Sequence, residues 1–324
     1  GGIITTVAGT GVSGFDGDGG AAVNARLNTP RALAIDSAGT LYIADSGNAR
    51  IRAIGTDGVI RTVAGTGQSA SNGDGGQATN ASVRPDYGIA VDGGGTIYFT
   101  EWQTHKLRAI SRDGVIRTLA GNGTRDFART NVAATQSPLR NPAGVTVDRN
   151  GTLLFTESNG YRVLRLNSDG RLSIVAGGDE FEYTGDGGPA TAASLGFPYG
   201  LGVQSDGSIV FSDSLCRCVR RVDGGGTIRT IAGNGRFSRI PDGSAATNAF
   251  LSDLRGLAFD ASGNLYVSIY GLSYVGAISP DGVVRRKPPS RHAMALTAAL
   301  EIRPPPRRAM AAFKARKVSS EFAW

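Results

Sequence analysis

Residues 27–67 read LNTPRALAIDSAGTLYIADSGNARIRAIGTDGVIRTVAGTG. Four apolar, β-rich runs (32–36, 40–44, 50–54 and 59–64) are split by Asp/Gly turns and one short polar loop at 45–49. Runs of five or six residues with such punctuation predict a four-stranded antiparallel meander. The stretch then returns four more times. Its turn dipeptides Asp57-Gly58, Asp113-Gly114, Asp169-Gly170, Gly225-Gly226 and Asp281-Gly282 recur every 56 residues, and so do the strand-end residues Asp36, Asp92, Asp148, Gln204 and Asp260. A period held without drift over five copies indicates a repeat architecture.

The first run of each copy predicts how the copies pack. One face carries Leu33, Ile89, Val145, Leu201 and Leu257; the other carries Ala34, Ala90, Thr146, Gly202 and Ala258. Bulky residues on one side and small ones on the other suit sheets stacked face to face, with both faces buried. Sheets that pack this way around an axis make a propeller. Between copies lies a connector with Gly-Asp-Gly-Gly at 17–20, 73–76 and 185–188, then alanines at 22, 78, 134, 190 and 246. Ala25, Ala81, Ala193 and Ala249 follow three residues later, with Ser137 in the third copy, so a single helical turn is expected there.

The fold expected is therefore all-β: a β-propeller of four-stranded antiparallel blades in residues 1–284, with a non-repeat tail, 285–324. That tail is basic and rich in Pro, Ala and Arg. It is expected to be disordered, with a short helix near 293–302, or to be read out of frame. It carries a net charge of +8 and the remainder −1, so the overall +7 is a property of the tail. A neutral body weakens a nucleic-acid reading, which needs a basic face. No apolar run is long enough to span a membrane. Cys216 and Cys218 are expected to be packed thiols on one face of a strand, where a disulfide would be strained. The chain opens on Gly1-Gly2 rather than Met, as a fragment or a processed form would.

Three motifs, Pro30-x-x-Leu33-Ala34-Ile35-Asp36, Leu41-Tyr42-Ile43-Ala44-Asp45 and Asn48-x-Arg50-Ile51-Arg52, resemble the NHL repeat. Ile97-Tyr98-Phe99-Thr100-Glu101 keeps the skeleton in the second copy. The long, Gly-Asp-Gly-Gly-bearing form is that of bacterial NHL-repeat proteins and of the teneurin propeller. The resemblance implies six blades, where five repeats are seen here. Residues 3–8, in step with 59–64, then look like a lone fourth strand, completing the fifth blade or belonging to a sixth. By the same analogy the chain is placed outside the cell or in its envelope.

Strand directions put the second-to-third loops and the connectors on one face, the expected binding surface. Residues that vary between copies there are Arg31, Tyr87, Tyr199 and Arg255, which enter the first strands, and Trp102, His105, Tyr161, Arg217 and Tyr270 in the short loops. Aromatics and arginines of this kind make contacts with partners. Asp45, Glu101, Glu157 and Asp213 end the second strands. Arg50, Lys106 and Arg162 lie five residues on, while the fifth copy replaces both partners with Ile269 and Tyr274. Their joint loss favours a hairpin ion pair over catalysis. Asp16-Gly-Asp18 hints at calcium but lacks the other ligands of a complete loop, and turn formation is preferred.

With two histidines, the zinc chemistry of peptidyl-hydroxyglycine lyase relatives is not expected. The expectation is a non-enzymatic binding or scaffold propeller with no catalytic residue, no metal ligand and no cofactor, taking a protein or other macromolecule. The alternatives are a divalent-cation-dependent lactonase-like enzyme and, by analogy with RNA-binding NHL propellers, a nucleic-acid binder.

Overall fold

The computed structural model describes residues 5–235, 243–269 and 274–285. Five sheets follow one another, each an antiparallel meander in sequence order. Blade 1 is Pro30–Ile35, Leu41–Asp45, Arg50–Ile54 and Ile60–Ala64, and blade 2 is Ile89–Val91, Ile97–Glu101, Lys106–Ile110 and Ile116–Ala120. Blade 3 is Pro142–Val147, Leu153–Glu157, Arg162–Leu166 and Leu172–Gly177. Blade 4 is Pro198–Val203, Ile209–Asp213, Cys218–Val222 and Ile228–Ala232, and blade 5 is Leu254–Phe259, Leu265–Ile269, Tyr274–Ile278 and Val284–Arg285. The first strands line a central channel of about 290 Å³.

The bulky-against-small packing is borne out. Ala32 and Ala34 of blade 1 share a core with Ile89, Ile97 and Phe99 of blade 2. Comparable cores join blades 2 and 3, 3 and 4, and 4 and 5. Phe99, Phe155 and Phe211 are fully buried at one repeat position, and such burial contributes roughly 1.5–3 kcal/mol per side chain. Gly202 shows why the opposing face must be small: a Cβ there would sit 2.9 Å from the Phe259 ring. The flanks of blades 1 and 5 carry separate apolar clusters, and among the described residues no cluster spans the two.

Each connector makes its expected turn as a 3-10 helix, from Ala22–Asn24 through Ala246–Asn248. Its Gly-rich part does not lie on the loop face as expected. Gly19 donates to the Ile60 carbonyl and Ile60 to the Gly20 carbonyl, and 75–76 with 116 and 187–188 with 228 repeat the pairing. The connector is therefore a short extra rung on the next blade's outer strand, covering an edge that would otherwise invite association. Blade 5 takes an outer strand from Val284–Arg285; of the expected N-terminal strand at 3–8, residues 5–8 are in no strand and residues 3–4 lie outside the described residues. The expected helix at 293–302 lies outside the described residues. Among those described, no helix is long and apolar enough to cross a membrane.

Candidate functional site

Five of the nine expected contact residues converge at the channel mouth, where the chain enters the first strands. Tyr87 is their hub. Its ring meets Trp102 edge-on at 6.1 Å between centroids and Tyr199 at 5.6 Å. The Arg31 guanidinium lies 4.7 Å from the Tyr87 centroid, and that of Arg255 lies 5.7 Å from Tyr87 and 4.5 Å from Tyr199. Such cation–π and edge-to-face contacts fix rings and guanidiniums against one another. Trp102 is anchored further by its indole N–H, which donates to Ser158 Oγ at 3.1 Å.

Sequence reasoning missed the acids that hold the two arginines. Asp86 sits 3.8 Å from Arg31, and Asp253 accepts two bonds from Arg255, at 2.9 and 3.3 Å. Burial pushes the Asp86 carboxyl up, with Arg31 opposing. The Arg255 guanidinium is held more firmly protonated: burial works against its charge, but Asp253 and the two tyrosines outweigh it. Both acids occur once in the repeat, beside the predicted strand starts, and that single-copy placement was the available signal. Asp253 also has a φ of 46°, as Thr29 (50°) and Asn141 (58°) do at the same repeat position. Left-handed backbone in non-glycine residues carries strain that the surroundings must hold.

The other expected residues lie elsewhere. Tyr161 forms a second aromatic group with Phe181 (5.0 Å) and Phe197 (6.0 Å), both missed because they belong to connectors. Arg217 donates to the Gly235 carbonyl at 3.3 Å. His105 is half-buried; burial, then Arg125, lowers its pKa, and its Nδ1 has no hydrogen-bond partner among the described residues. Tyr270 lies outside the described residues.

The acids that end the second strands are structural, but the expected hairpin partner is wrong. Asp45 and Glu101 stand opposite Arg50 and Lys106 in register, yet their ion pairs are with Arg52 (3.6 Å) and Arg108 (3.5 Å), seven residues on. Arg50 turns away to the Asn48 and Thr66 carbonyls. The reason is a competing demand: each acid also accepts a connector backbone N–H, from Asn28, Arg84, Arg140 and Gly196 in turn. That contact points the carboxylates inward, toward the buried arginines. The connector acids are engaged likewise. Asp16 binds Arg26, while Asp18 takes Arg52 at 2.7 Å and the Thr62 hydroxyl at 2.7 Å.

Cys216 and Cys218 are joined in a disulfide rather than packed as thiols. Cys216 lies in the loop, outside the strand, and Arg217 between the two has a φ of 53°. That bend draws the Cα atoms to 5.2 Å, within the range a disulfide spans.

The family described as the teneurin NHL domain matches residues 7–72 and 66–177, together more than half of the chain. The protein SUPPRESSOR OF QUENCHING 1 of Arabidopsis thaliana is 26% identical over 280 residues, covering 82% of this chain and 26% of that protein. Teneurin-3 of Danio rerio is 32% identical over 157 residues, 43% of this chain and 6% of the relative. The chain thus spans about a quarter of the first relative and far less of the second. Among solved structures, a gluconolactonase from Xanthomonas campestris is similar with a TM-score of 0.52 at 18% identity, covering 80% of this chain and 75% of that one. At that identity the likeness is one of fold alone.

Proposed function

The chain belongs to the teneurin NHL-domain family, and from that premise we propose that it is a non-enzymatic binding module that holds a protein or other macromolecular partner at the channel mouth. One observation carries the reading: Tyr87, Trp102, Tyr199, Arg31 and Arg255 are drawn from four blades to a single place and fixed there by mutual contacts. Ordered aromatics and arginines lose little freedom on binding, which is what contact hot spots require.

The test places a photo-crosslinking phenylalanine derivative at position 87 and, as a control, at exposed Asn150 on the opposite face, in extract of the source cells. The expected result is a partner captured from position 87 alone. Wild-type protein in excess should compete it away, and the Arg31→Ala/Arg255→Ala variant should not. A lactone-hydrolysis screen run beside it covers the enzymatic alternative. Saturable, chelator-sensitive turnover would overturn the binding reading.

A further inference from the structure

We propose that Cys216 and Cys218 form a reversible dithiol–disulfide couple, reduced by a dithiol with the fold intact, and that its state sets how firmly residues 214–217 are held. The loop does not need the crosslink for its shape. Ala49, His105 and Tyr161 occupy the position of Arg217 in blades 1–3 and have φ values of 49°, 58° and 59° against 53°. The bond closes a ring of three residues, so it constrains the unfolded chain as little as any disulfide does. A purely structural staple would therefore have little to stabilise.

The crosslink replaces a tether found in other blades. At the repeat position of Cys216, Asn48 donates to Asp45 at 2.7 Å and Thr104 to Glu101 at 2.7 Å, each tying the loop to the acid that ends the second strand. In blade 4 Asp213 instead accepts the Gly196 and Leu215 backbone N–H groups. Cys216 Sγ lies 3.4 Å from the Asp213 carbonyl, so reduction would leave this loop a weak thiol–carbonyl contact in place of the tether to the carboxylate in blades 1 and 2. The loop also borders the second aromatic group. Ser214 donates to the Phe197 carbonyl at 3.1 Å, and Leu215, 40% exposed, packs over Gly196. Phe197 in turn lies 4.9 Å from the Phe181 ring, itself 42% exposed. Loosening residues 214–217 would uncover this apolar group on the loop face.

Cys216 is 8% exposed and Cys218 1%, so the first attack falls on Cys216. A reagent thiolate displaces Cys218, which leaves as a thiolate and takes a proton from water. The reagent's second thiolate then breaks the mixed disulfide and releases Cys216, which is protonated in turn. The protein gains two electrons and two protons, and the reagent is oxidised to its cyclic disulfide.

The experiment titrates the folded protein with dithiothreitol in the absence of denaturant. Thiols are counted by alkylation and mass spectrometry, with far-ultraviolet circular dichroism and amide hydrogen exchange in parallel. Both thiols should be labelled while the dichroism is unchanged, and exchange at 197 and 214–217 should rise at least tenfold. The Cys216→Ser/Cys218→Ser variant should exchange like the reduced protein and ignore the reductant. Labelling only after denaturation, exchange unchanged by reduction, or free thiols in the air-oxidised protein would each overturn the proposal.

Discussion

Blades 2 and 3 are neighbours built from one repeat, and they compensate the same buried acid in different ways. In blade 2 the fully buried Arg108 binds Asp74 of the connector at 2.5 Å, the Asn72 and Ser82 carbonyls, and Glu101 at 3.5 Å. Blades 1 and 4 repeat the clasp with Arg52 and Asp18, and with Arg220 and Asp186. Blade 3 has Leu164 for the arginine and Thr130 for the connector acid, and Leu164 simply joins the apolar core. Its Glu157 remains fully buried, accepting the Arg140 N–H, but among the described residues its Oε2 has no hydrogen-bond partner. Arg162, which opposes Glu157 in register, pairs at the rim with Asp179 instead. Across blades 1–4 the arginine and its connector acid are therefore kept or discarded together, while the acid that anchors the connector stays; blade 5 departs from this, with Ile269 for that acid and Gly276 for the arginine.

The largest expected effect comes from breaking the clasp. Arg108→Leu strands Glu101 in the interior and frees Asp74, and losing one partner of a buried pair costs about 3–5 kcal/mol. Converting blade 2 fully to the blade 3 pattern, with Asp74→Thr added, should cost less than the sum of the two single changes, by roughly 1–2 kcal/mol of coupling. Urea unfolding of the four proteins measures the cycle. Strict additivity would mean that the joint presence of Thr130 and Leu164 in blade 3 is coincidence.

Glu157 supplies the next effect, and its sign is opposite to that of an ordinary salt-bridged carboxylate. Burial, only partly offset by the Arg140 N–H and the Arg162 charge, raises its pKa from 4.5 to about 7. The folded state thus holds the proton more tightly than the unfolded chain does. Its contribution to stability is fully present below pH 4.5 and is lost as pH rises toward 7. Glu157→Gln keeps an acceptor for Arg140 and removes the titration, so it should gain about 2–3 kcal/mol on wild type at pH 8 and little at pH 4. Unfolding curves across that range decide it; parallel curves would show that Arg162 already satisfies the charge.

The sequence made the strands legible because their period, turns and large–small alternation are local or repeat at fixed spacing. Arg50–Ile54 was bounded to the residue, and the alanines correctly marked the connector turns. The clasp was overlooked although Arg52, Arg108 and Arg220 stand 34 residues after Asp18, Asp74 and Asp186. Register made the opposing Arg50 and Lys106 the obvious partners, and a charge in a third strand reads as solvent-facing until the connector is known to cover it. At the site, residue type indicated Tyr87 and Arg255, but not that Tyr161 belongs to a separate group. Which loops meet depends on the tilt of the blades, which no local pattern encodes.

A smaller contrast between the same two blades lies at the first turn. Asp92 accepts the Gly94 and Thr96 N–H groups at 2.9 Å each and the Tyr98 hydroxyl at 2.8 Å. Blade 3 keeps the two backbone bonds on Asp148 but has Leu154 where the tyrosine stood. Burial pushes the Asp92 pKa up, yet the Thr96, Tyr98 and Gly94 bonds outweigh it and leave the group below 3.8. Its contribution is therefore present above pH 3.8 and lost as pH falls through the lowered value. Since Asp92 is largely solvent-screened, the hydrogen bond and not the shift sets the scale. Tyr98→Phe should cost about 0.5–1 kcal/mol at pH 7, and less once pH falls through the lowered Asp92 value and the protonated acid no longer offers a charged acceptor. The tyrosine adds strength to a turn that Asp148 closes without it, so a loss at pH 7 well above that range would mean that the hydroxyl also holds the neighbouring blade.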